Sequence, residues 1–331
     1  MSYRSILQPL AGLLLFTLSL QTQAEWLRES ENIMGTRVAV ELWHETGDEQ
    51  KAGLCAGRVF DEMRRIDALM SPFKPDSEVS AINRDAAIEP VTVSPELYAL
   101  IRRALEFSKL SNGVFDISFA SIGYRYDYRR GIRPDDRQIR ASLDNIDYRQ
   151  IQLQDGRIRF LRPGMRIDLG GIAKGYAVDR SIELLKQCGI RNALVSAGGD
   201  SRLLGDRHGR PWIIGIRHPR REGAVALRLP LDNSAISTSG DYERFFLSNG
   251  ERVHHIINPS TGKSARKSWS STVIGPDATT TDALSTTLFI LGAEDGMKLI
   301  DQLDGLDAII IDARGKIHYS SGLVAAGSSS G

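Results

Sequence analysis

The stretch Ile167-Asp168-Leu169-Gly170-Gly171-Ile172-Ala173-Lys174-Gly175-Tyr176-Ala177 is the part of the sequence on which the fold and a ligand site depend most. A strand-like segment over residues 165–169 runs into two glycines, and a helical pattern begins directly after them. Backbone N–H groups and a lysine at a helix start favour a bound anion. The stretch is neither a Walker loop nor the dinucleotide GxGxxG pattern, so it indicates a phosphate-bearing ligand in an unusual cradle. The same pattern also occurs where a strand and a helix simply pack together.

The N-terminal segment has the features of a secretory signal peptide. Arg4 supplies a positive charge, residues 9–20 form an apolar core, and Thr22-Gln23-Ala24 is a small-x-small cleavage site. The apolar run is short for a membrane span, and an uncleaved anchor is the alternative. We therefore expect residues 1–24 to be removed and the protein to be exported to the periplasm.

The composition is that of a globular protein, with 41% hydrophobic residues, 25% charged residues and a net charge of +1. It lacks the charge excess that is typical of proteins that bind nucleic acids or anionic membranes. We expect one domain over residues 25–324 and a flexible Gly/Ser-rich tail over residues 325–331. Cys55 and Cys188 lie on separate predicted helices without metal-ligand spacing. An oxidising compartment permits a bridge between them, but unpaired core cysteines are the expectation.

The order of predicted elements favours an α+β fold. Ser94-Pro95-Glu96 is a strong helix start, and Asp155-Gly156 is a hairpin turn signal. Strands come in hairpin-like runs with helices between them, which favours mixed or antiparallel sheets over a regular βαβ repeat. The patterns predict helices over 50–70, 134–147, 282–291 and 293–303, two more that end before Gly113 and Gly189, and strands over 36–43, 151–153, 157–161, 193–196, 212–217, 224–229, 253–257, 271–274 and 307–311.

The segment Thr279-Thr280-Thr281-Asp282-Ala283-Leu284-Ser285-Thr286 is a candidate metal site. If Thr281 caps a helix that starts at Asp282, then Asp282 and Thr286 lie on adjacent turns of one face. A carboxylate and a hydroxyl suit Mg²⁺, which keeps few protein ligands and takes the rest from phosphate and water. The alternative is an ordinary capped helix whose acidic residue stabilises its positive end.

The segment His254-His255-Ile256-Ile257-Asn258-Pro259-Ser260-Thr261-Gly262 places histidines on a strand before a turn. Histidine is the natural base near neutral pH, although a structural histidine is the alternative. Neighbouring residues of a strand point to opposite faces, so at most one of the two histidines should face a site. Two glycine-containing segments, 196–200 and 237–242, are predicted as turns or loops that either lie against a ligand or serve as plain turns. The motifs GxSxG, HExxH and CxxC are absent, which argues against serine-hydrolase, zinc-protease and thioredoxin-like functions.

Taken together and in order, these segments resemble the ApbE family of FAD:protein FMN transferases. The resemblance runs from about residue 31 to 311 and departs from the family pattern over residues 118–128. The segments that carry it are Ile33-Met34-Gly35-Thr36, Ser77-Glu78-Val79-Ser80-Ala81-Ile82-Asn83-Arg84, Gly113-Val114-Phe115-Asp116-Ile117, and residues 167–177, 196–200, 237–242, 255–262 and 281–286.

The resemblance implies an exported, Mg²⁺-dependent enzyme with an α+β fold related to the tunnelling fold. It would split FAD at the pyrophosphate, attach FMN to a threonine or serine of a partner protein through a phosphoester, and release AMP. The implied metal ligands are Asp282, Thr286 and the Gly171 carbonyl, with Ser285 assisting. The implied FAD contacts are Met34, Phe73, Val114, Phe115, Asp116, Asp168, Lys174 and His255. The implied catalytic residues are His255, which assists the transfer, Asp282 and Lys174.

The resemblance also implies a kind of partner. The acceptor would be a membrane flavoprotein subunit, either of a respiratory quinone reductase or of a regulatory protein of anaerobic respiration, and no nucleic acid would be involved. The periplasmic protein would meet the inner membrane through this partner. Two other functions stay open on the sequence: a periplasmic FAD pyrophosphatase that gives free FMN and AMP, and a non-catalytic FAD-binding protein.

Overall fold

The computed structural model describes the backbone of residues 25–328 and the side-chain environments of residues 25–324. The predicted signal peptide and the last three residues of the predicted tail lie outside the described residues. Across residues 25–328, no helix has the length and apolar character needed to cross a bilayer.

Antiparallel pairing builds the described sheets. The strands are β1 (Glu25–Ile33), β2 (Thr36–His44), β3 (Val91–Thr92), β4 (Ile151–Gln154), β5 (Arg157–Phe160), β6 (Ala193–Ala197), β7 (Asp200–Leu204), β8 (Trp212–Arg217), β9 (Val225–Leu231), β10 (Ala235–Gly240), β11 (Phe245–Ser248), β12 (Glu251–His254), β13 (Ile257–Asn258), β14 (Lys263–Ser264), β15 (Ser268–Gly275), β16 (Asp307–Asp312) and β17 (Ile317–Tyr319). The main sheet has eight strands in the order β1-β2-β6-β7-β10-β15-β16-β17. Smaller sheets have the orders β3-β5-β4, β8-β9, β11-β12 and β13-β14.

Three of the helices form a layer on the main sheet. The helices are α1 (Glu49–Met70), α2 (Glu78–Asp85), α3 (Pro95–Leu110), α4 (Ala120–Gly123), α5 (Asp136–Leu143), α6 (Ala173–Gln187), α7 (Ala278–Leu291), α8 (Ala293–Ile300) and α9 (Ser321–Ser328). Helix α1 packs beside α6, α6 packs beside α7, and all three contact strands of the sheet. One large hydrophobic cluster fills the space between the layers. The predicted α+β class is confirmed.

The periodic segments fold as their patterns predict. On β2, Val38, Val40 and Leu42 are buried while the residues between them are partly exposed. Ser94 caps α3 by accepting a hydrogen bond from the Leu97 N–H, with proline following it at the first helical position. The turn between β4 and β5 is Asp155-Gly156 with positive φ at both residues, as a tight hairpin turn requires.

Helices α6 and α7 approach each other closely near their N-terminal ends. Gly175 lies against the Ala278 carbonyl, and a Cβ at this position would collide with that carbonyl and lie 2.8 Å from Asp282 Cβ. Asp179 of α6 then accepts hydrogen bonds from the N–H groups of Ala278 and Thr279, both at 2.8 Å. One turn of α6 therefore fixes the first turn of α7.

The structure corrects several local predictions. Residues 165–169 form an extended segment rather than a strand, because the Asn83 side chain pairs with both backbone groups of Ile167 at 2.7 and 2.9 Å. Helix α7 begins at Ala278 with Asp277 as its cap, so the predicted cap at Thr281 is wrong. The predicted loop over 237–242 is largely strand β10, which lies between β7 and β15 in the main sheet. The strand predicted over 253–257 is interrupted between β12 and β13.

The two cysteines form a disulfide, which corrects the expectation of unpaired thiols. Cys55 and Cys188 are bonded, with their Cα atoms 6.3 Å apart. They meet because α1 and α6 pack side by side, a contact between segments that lie 133 residues apart in the sequence. Helix α9 extends to Ser328, within the segment that we expected to be a tail.

Candidate active site

An ion cluster forms where α6 begins beside α7 and β7. Lys174 Nζ lies 2.7 Å from Asp200 Oδ2 and 3.6 Å from Asp282 Oδ2. The Gly175 N–H donates to the same Asp282 oxygen at 3.0 Å. Both carboxylates are buried, while the lysine side chain remains 23% exposed. The lysine ammonium group therefore lies between two buried carboxylates, and its side chain is partly exposed to solvent.

The electrostatics of this cluster keep the lysine charged. Burial alone would lower the pKa of Lys174, but the negative charges of Asp200 and Asp282 raise it above its ordinary value. Burial, followed by the charge of Asp200, raises the pKa of Asp282 to about 7, against the opposing effect of Lys174. Two carboxylates that share a single counter-charge attract a further cation.

A row of hydroxyl groups lies between β10 and the turn of α7 that follows Asp282. Ser239 on β10 lies 2.9 Å from Ser285 and 3.2 Å from Thr286, measured between hydroxyl oxygens. Helix α7 is buried almost all round, but Thr286 is partly exposed. A Cβ built on Gly171 would lie 3.5 Å from Thr286 Oγ1, which brings the predicted backbone ligand beside the predicted hydroxyl ligand.

This donor set fits Mg²⁺ better than a softer metal. Over the described residues, no three side chains of the His, Cys, Asp and Glu types converge to hold a metal. The oxygens of Asp282, Thr286, Ser285 and Gly171 are hard ligands, and Mg²⁺ commonly uses few protein ligands together with substrate phosphate and water. The residues present are therefore compatible with the magnesium site that the sequence predicts.

The start of α6 offers fewer free N–H groups than the sequence suggests. The Gly170 N–H donates to Asp168 Oδ1 at 2.7 Å, and the N–H groups of Ile172 and Ala173 both donate to the Leu169 carbonyl. Among residues 25–324, no side chain caps this helix. An anion at this position would therefore depend on the lysine and a metal more than on a cradle of backbone donors. Burial raises the pKa of Asp168, whereas the Gly170 N–H and the charge of Arg244 lower it.

His255 has an unpaired ring nitrogen at the edge of the site. Its Nδ1 is buried and has no hydrogen-bond partner among the described residues. Burial, and then the positive charges of Arg244 and Lys174, lower the pKa of His255 to about 3. The ring is therefore neutral at physiological pH.

His254 has a different, structural environment. One of its ring nitrogens, Nε2, lies 2.7 Å from the Ala265 carbonyl, and the Ile256 N–H donates to the other at 3.3 Å. The two histidines thus differ in bonding: His254 has a partner at both ring nitrogens, whereas Nδ1 of His255 has none among the described residues.

Some predicted FAD contacts lie close to this site. Phe115 is buried, and its ring is 3.2 Å from a Cβ built on Gly171. Val114 packs on a small cluster that contains Ile256, next to His255 in the chain. Met34 occupies the turn between β1 and β2 with a positive φ of 54°, directly before Gly35, whose carbonyl accepts a hydrogen bond from Arg244.

Two other predicted FAD contacts, Asp116 and Phe73, have surroundings unlike those of the residues just described. The Asp116 carboxylate accepts hydrogen bonds from the N–H and hydroxyl of Ser118 and from the Tyr148 N–H, so protein donors occupy it. Phe73 lies on the loop between α1 and α2, and the residue is 84% exposed. Its backbone N–H donates to the Ser71 hydroxyl at 3.4 Å.

Three residues of the site were not singled out by the sequence patterns. Asp200 follows the Gly198-Gly199 turn, which was noted only as a loop that could face a ligand. Alternate residues of β10 face α7, so Ser239 reaches this helix. Ser237 does so as well, with its hydroxyl oxygen 2.8 Å from that of Thr281. Arg244 carries no motif signal, and only the hairpin of β11 and β12 brings it to His255.

Comparison with known proteins assigns the chain to a family. The ApbE family model matches residues 34–310. The FAD:protein FMN transferase of Treponema pallidum is 34% identical over 286 residues, which cover 80% of this chain and 79% of that protein. The crystal structure of the ApbE protein from Thermotoga maritima has a TM-score of 0.83 and 34% identity, covering 91% of this chain and 99% of the other. The flavin transferase ApbE from Vibrio cholerae has a TM-score of 0.80 and 27% identity, covering 92% and 99%. The chain therefore belongs to the ApbE family.

Proposed function

We propose that this flavin transferase moves FMN from FAD to a threonine or serine hydroxyl of a partner protein, with Mg²⁺ bound at the start of α7. Family membership and the names of its relatives support flavin transfer to protein. The metal, the phosphoester bond and the release of AMP are the parts that we add. The observation that carries them is the convergence of Lys174, Asp282 and the hydroxyls of Ser285 and Thr286 beside a neutral histidine.

The residues that would hold Mg²⁺ are Asp282, Thr286, the Gly171 carbonyl and Ser285. A bound Mg²⁺ would neutralise phosphate charge and orient the pyrophosphate as a Lewis acid. Lys174 adds a fixed positive charge at the same place, held by Asp200 on its other side. Asp200 is thus a positioning residue for Lys174 in this account.

The transfer itself needs a base and a nucleophile. The acceptor hydroxyl oxygen forms a new bond to the phosphorus of the FMN half, and the bond from that phosphorus to the bridging oxygen breaks. AMP leaves with the bridging oxygen. The hydroxyl proton passes to the unpartnered Nδ1 of His255, which is neutral at physiological pH.

We propose that the reaction takes place in the periplasm on a membrane flavoprotein of the respiratory or regulatory type. The signal-peptide pattern over residues 1–24 supports export. The Cys55–Cys188 bond supports the same conclusion, because disulfides persist mainly in oxidising compartments.

The test uses the protein without residues 1–24, FAD, Mg²⁺ and membranes from a strain of the source organism that lacks this chain. A fluorescent flavin band that survives denaturing electrophoresis, together with AMP, supports transfer. AMP without a band would indicate the pyrophosphatase, and FAD binding without either product would indicate a binding protein. Asp282→Asn should abolish both products, whereas Asp304→Asn on an exposed loop should leave them unchanged.

A further inference from the structure

The hairpin of β11 and β12 places a second cation beside His255. The strands pair Phe245 with His254, so Arg244 and His255 are the next opposed pair. The His255 N–H donates to the Arg244 carbonyl at 3.2 Å, which continues the pairing by one step. Side chains of directly opposed residues lie on the same face of an antiparallel ribbon. Arg244 therefore shares the face of the candidate base.

The guanidinium of Arg244 has most of its donors available. Its Nη2 donates to the Gly35 carbonyl at 3.3 Å. Within the described residues Arg244 forms no ion pair with a carboxylate, unlike Arg220 and Arg252, which both approach Asp241. A guanidinium carries five N–H donors, so one long bond to a neutral carbonyl leaves the fork able to bind another acceptor.

The charge of Arg244 reaches the same groups that form the ion cluster. It lowers the pKa of Asp168. The turn that Arg244 bonds also lies beside the cluster: Thr36, next to Gly35, has its Oγ1 2.8 Å from the position of a Cβ on Gly198, and Gly198 lies two residues before Asp200, the partner of Lys174. Two like charges are thus held near one point, one on α6 and one on the hairpin. Such an arrangement is unfavourable without a ligand and becomes favourable when an anion binds between the cations.

We propose that Arg244 binds the pyrophosphate of FAD together with Lys174 and is a phosphate-binding residue of this enzyme. The planar fork suits two phosphate oxygens, whereas Lys174 supplies a compact point charge. The bond to Gly35 fixes the arginine on the turn that also carries Met34. The assignment rests on the proposed function only in taking FAD as the ligand.

Equilibrium binding tests the assignment without turnover. Arg244→Gln, Arg244→Lys and the control Arg228→Gln, an exposed residue of β9, are titrated with FAD, ADP and riboflavin in the presence of Mg²⁺. Losing a charge-assisted bond should weaken FAD and ADP binding by about 10–100-fold in Arg244→Gln. Riboflavin, which has no phosphate, should bind as it does to the unchanged protein. Arg244→Lys should recover part of the loss, and Arg228→Gln should bind all three ligands normally.

Several outcomes would overturn the assignment. Unchanged FAD and ADP affinity in Arg244→Gln would exclude a phosphate contact. If transfer to membranes alone declined in that variant, Arg244 would instead contact the acceptor, and the assignment would also be wrong. An equal loss for riboflavin would mean a flavin contact or a damaged fold, which thermal unfolding separates. Failure of the proposed transfer gives a different result, since the unchanged protein would then bind FAD without labelling any membrane protein.

Discussion

At the scale of single residues, His254 and His255 show how burial assigns different roles to neighbours. His254 uses both ring nitrogens within the protein, whereas His255 keeps Nδ1 unpartnered among the described residues. We predict that His255→Asn slows FMN transfer by about 10²–10⁴-fold, the usual contribution of a general base. FAD affinity and the unfolding temperature should change little. His254→Asn is the contrast, because it should lower the unfolding temperature by breaking the contact with the Ala265 carbonyl.

The low pKa of His255 has a consequence for stability. Its pKa is about 3 in the folded protein and about 6.5 in an unfolded chain. The unfolded state therefore binds more protons between these values, and stability falls as pH decreases below about 6.5. From pH 7 to pH 5 the unchanged protein should lose roughly 1–2 kcal/mol more than His255→Asn. Urea unfolding of both proteins at the two pH values measures this, and identical losses would contradict a buried neutral ring.

At the scale of elements, the contact between α6 and α7 aligns Lys174 with Asp282. Gly175→Ala places a methyl group against the Ala278 carbonyl, so the helices must separate. We predict a loss of about 1–3 kcal/mol in the free energy of unfolding, together with weaker Mg²⁺ binding. Gly53→Ala on α1 is the matched control, since among the described residues no atom outside its own helical backbone and chain neighbours lies within 4 Å of the added Cβ. That variant should be unchanged or more stable by about 0.5–1 kcal/mol, and equal behaviour of the two variants would refute the role of the close contact.

The elements also show what a sequence can predict. Strand β2 and helices α1 and α6 follow from local periodicity, and α3 from periodicity together with its Ser94 cap; these signals depend on nearby residues alone. Strand β10 was mistaken for a loop because its serines and threonine look polar. They are tolerated in the sheet because hydroxyls of α7 and β15 bond to them, and these partners are distant in the sequence.

The sequence predicted only part of the candidate site. The pairing of Asp282 and Thr286 followed from helical spacing, although the helix begins four residues earlier than expected. The segment before Gly170 was mistaken for a strand because both backbone groups of Ile167 bond to the Asn83 side chain and not to a neighbouring strand, which the sequence gives no reason to expect. Arg244 was missed because its position depends on strand register and not on a motif.

At the scale of the whole molecule, the disulfide ties α1 to the end of α6, the helix that begins at the site. Because the bond closes a loop of 133 residues, its removal should cost about 2–4 kcal/mol of stability. We predict that the double variant Cys55→Ser and Cys188→Ser unfolds at a lower temperature but transfers FMN at the same rate below that temperature. Reduction with dithiothreitol should have the same effect on the unchanged protein and none on the double variant. An undiminished unfolding temperature would show that the bond adds nothing to the fold.

The central claim is that the cluster at the start of α7 transfers FMN from FAD to protein and releases AMP. The most direct test measures the mass of the acceptor, isolated from the membranes described above, and the AMP formed in the same reaction. The acceptor mass should increase by that of one FMN attached as a phosphoester, with one AMP formed for each modified acceptor. Neither product should form with Asp282→Asn or after chelation of Mg²⁺. AMP without a change in acceptor mass, or full modification by Asp282→Asn, would contradict it.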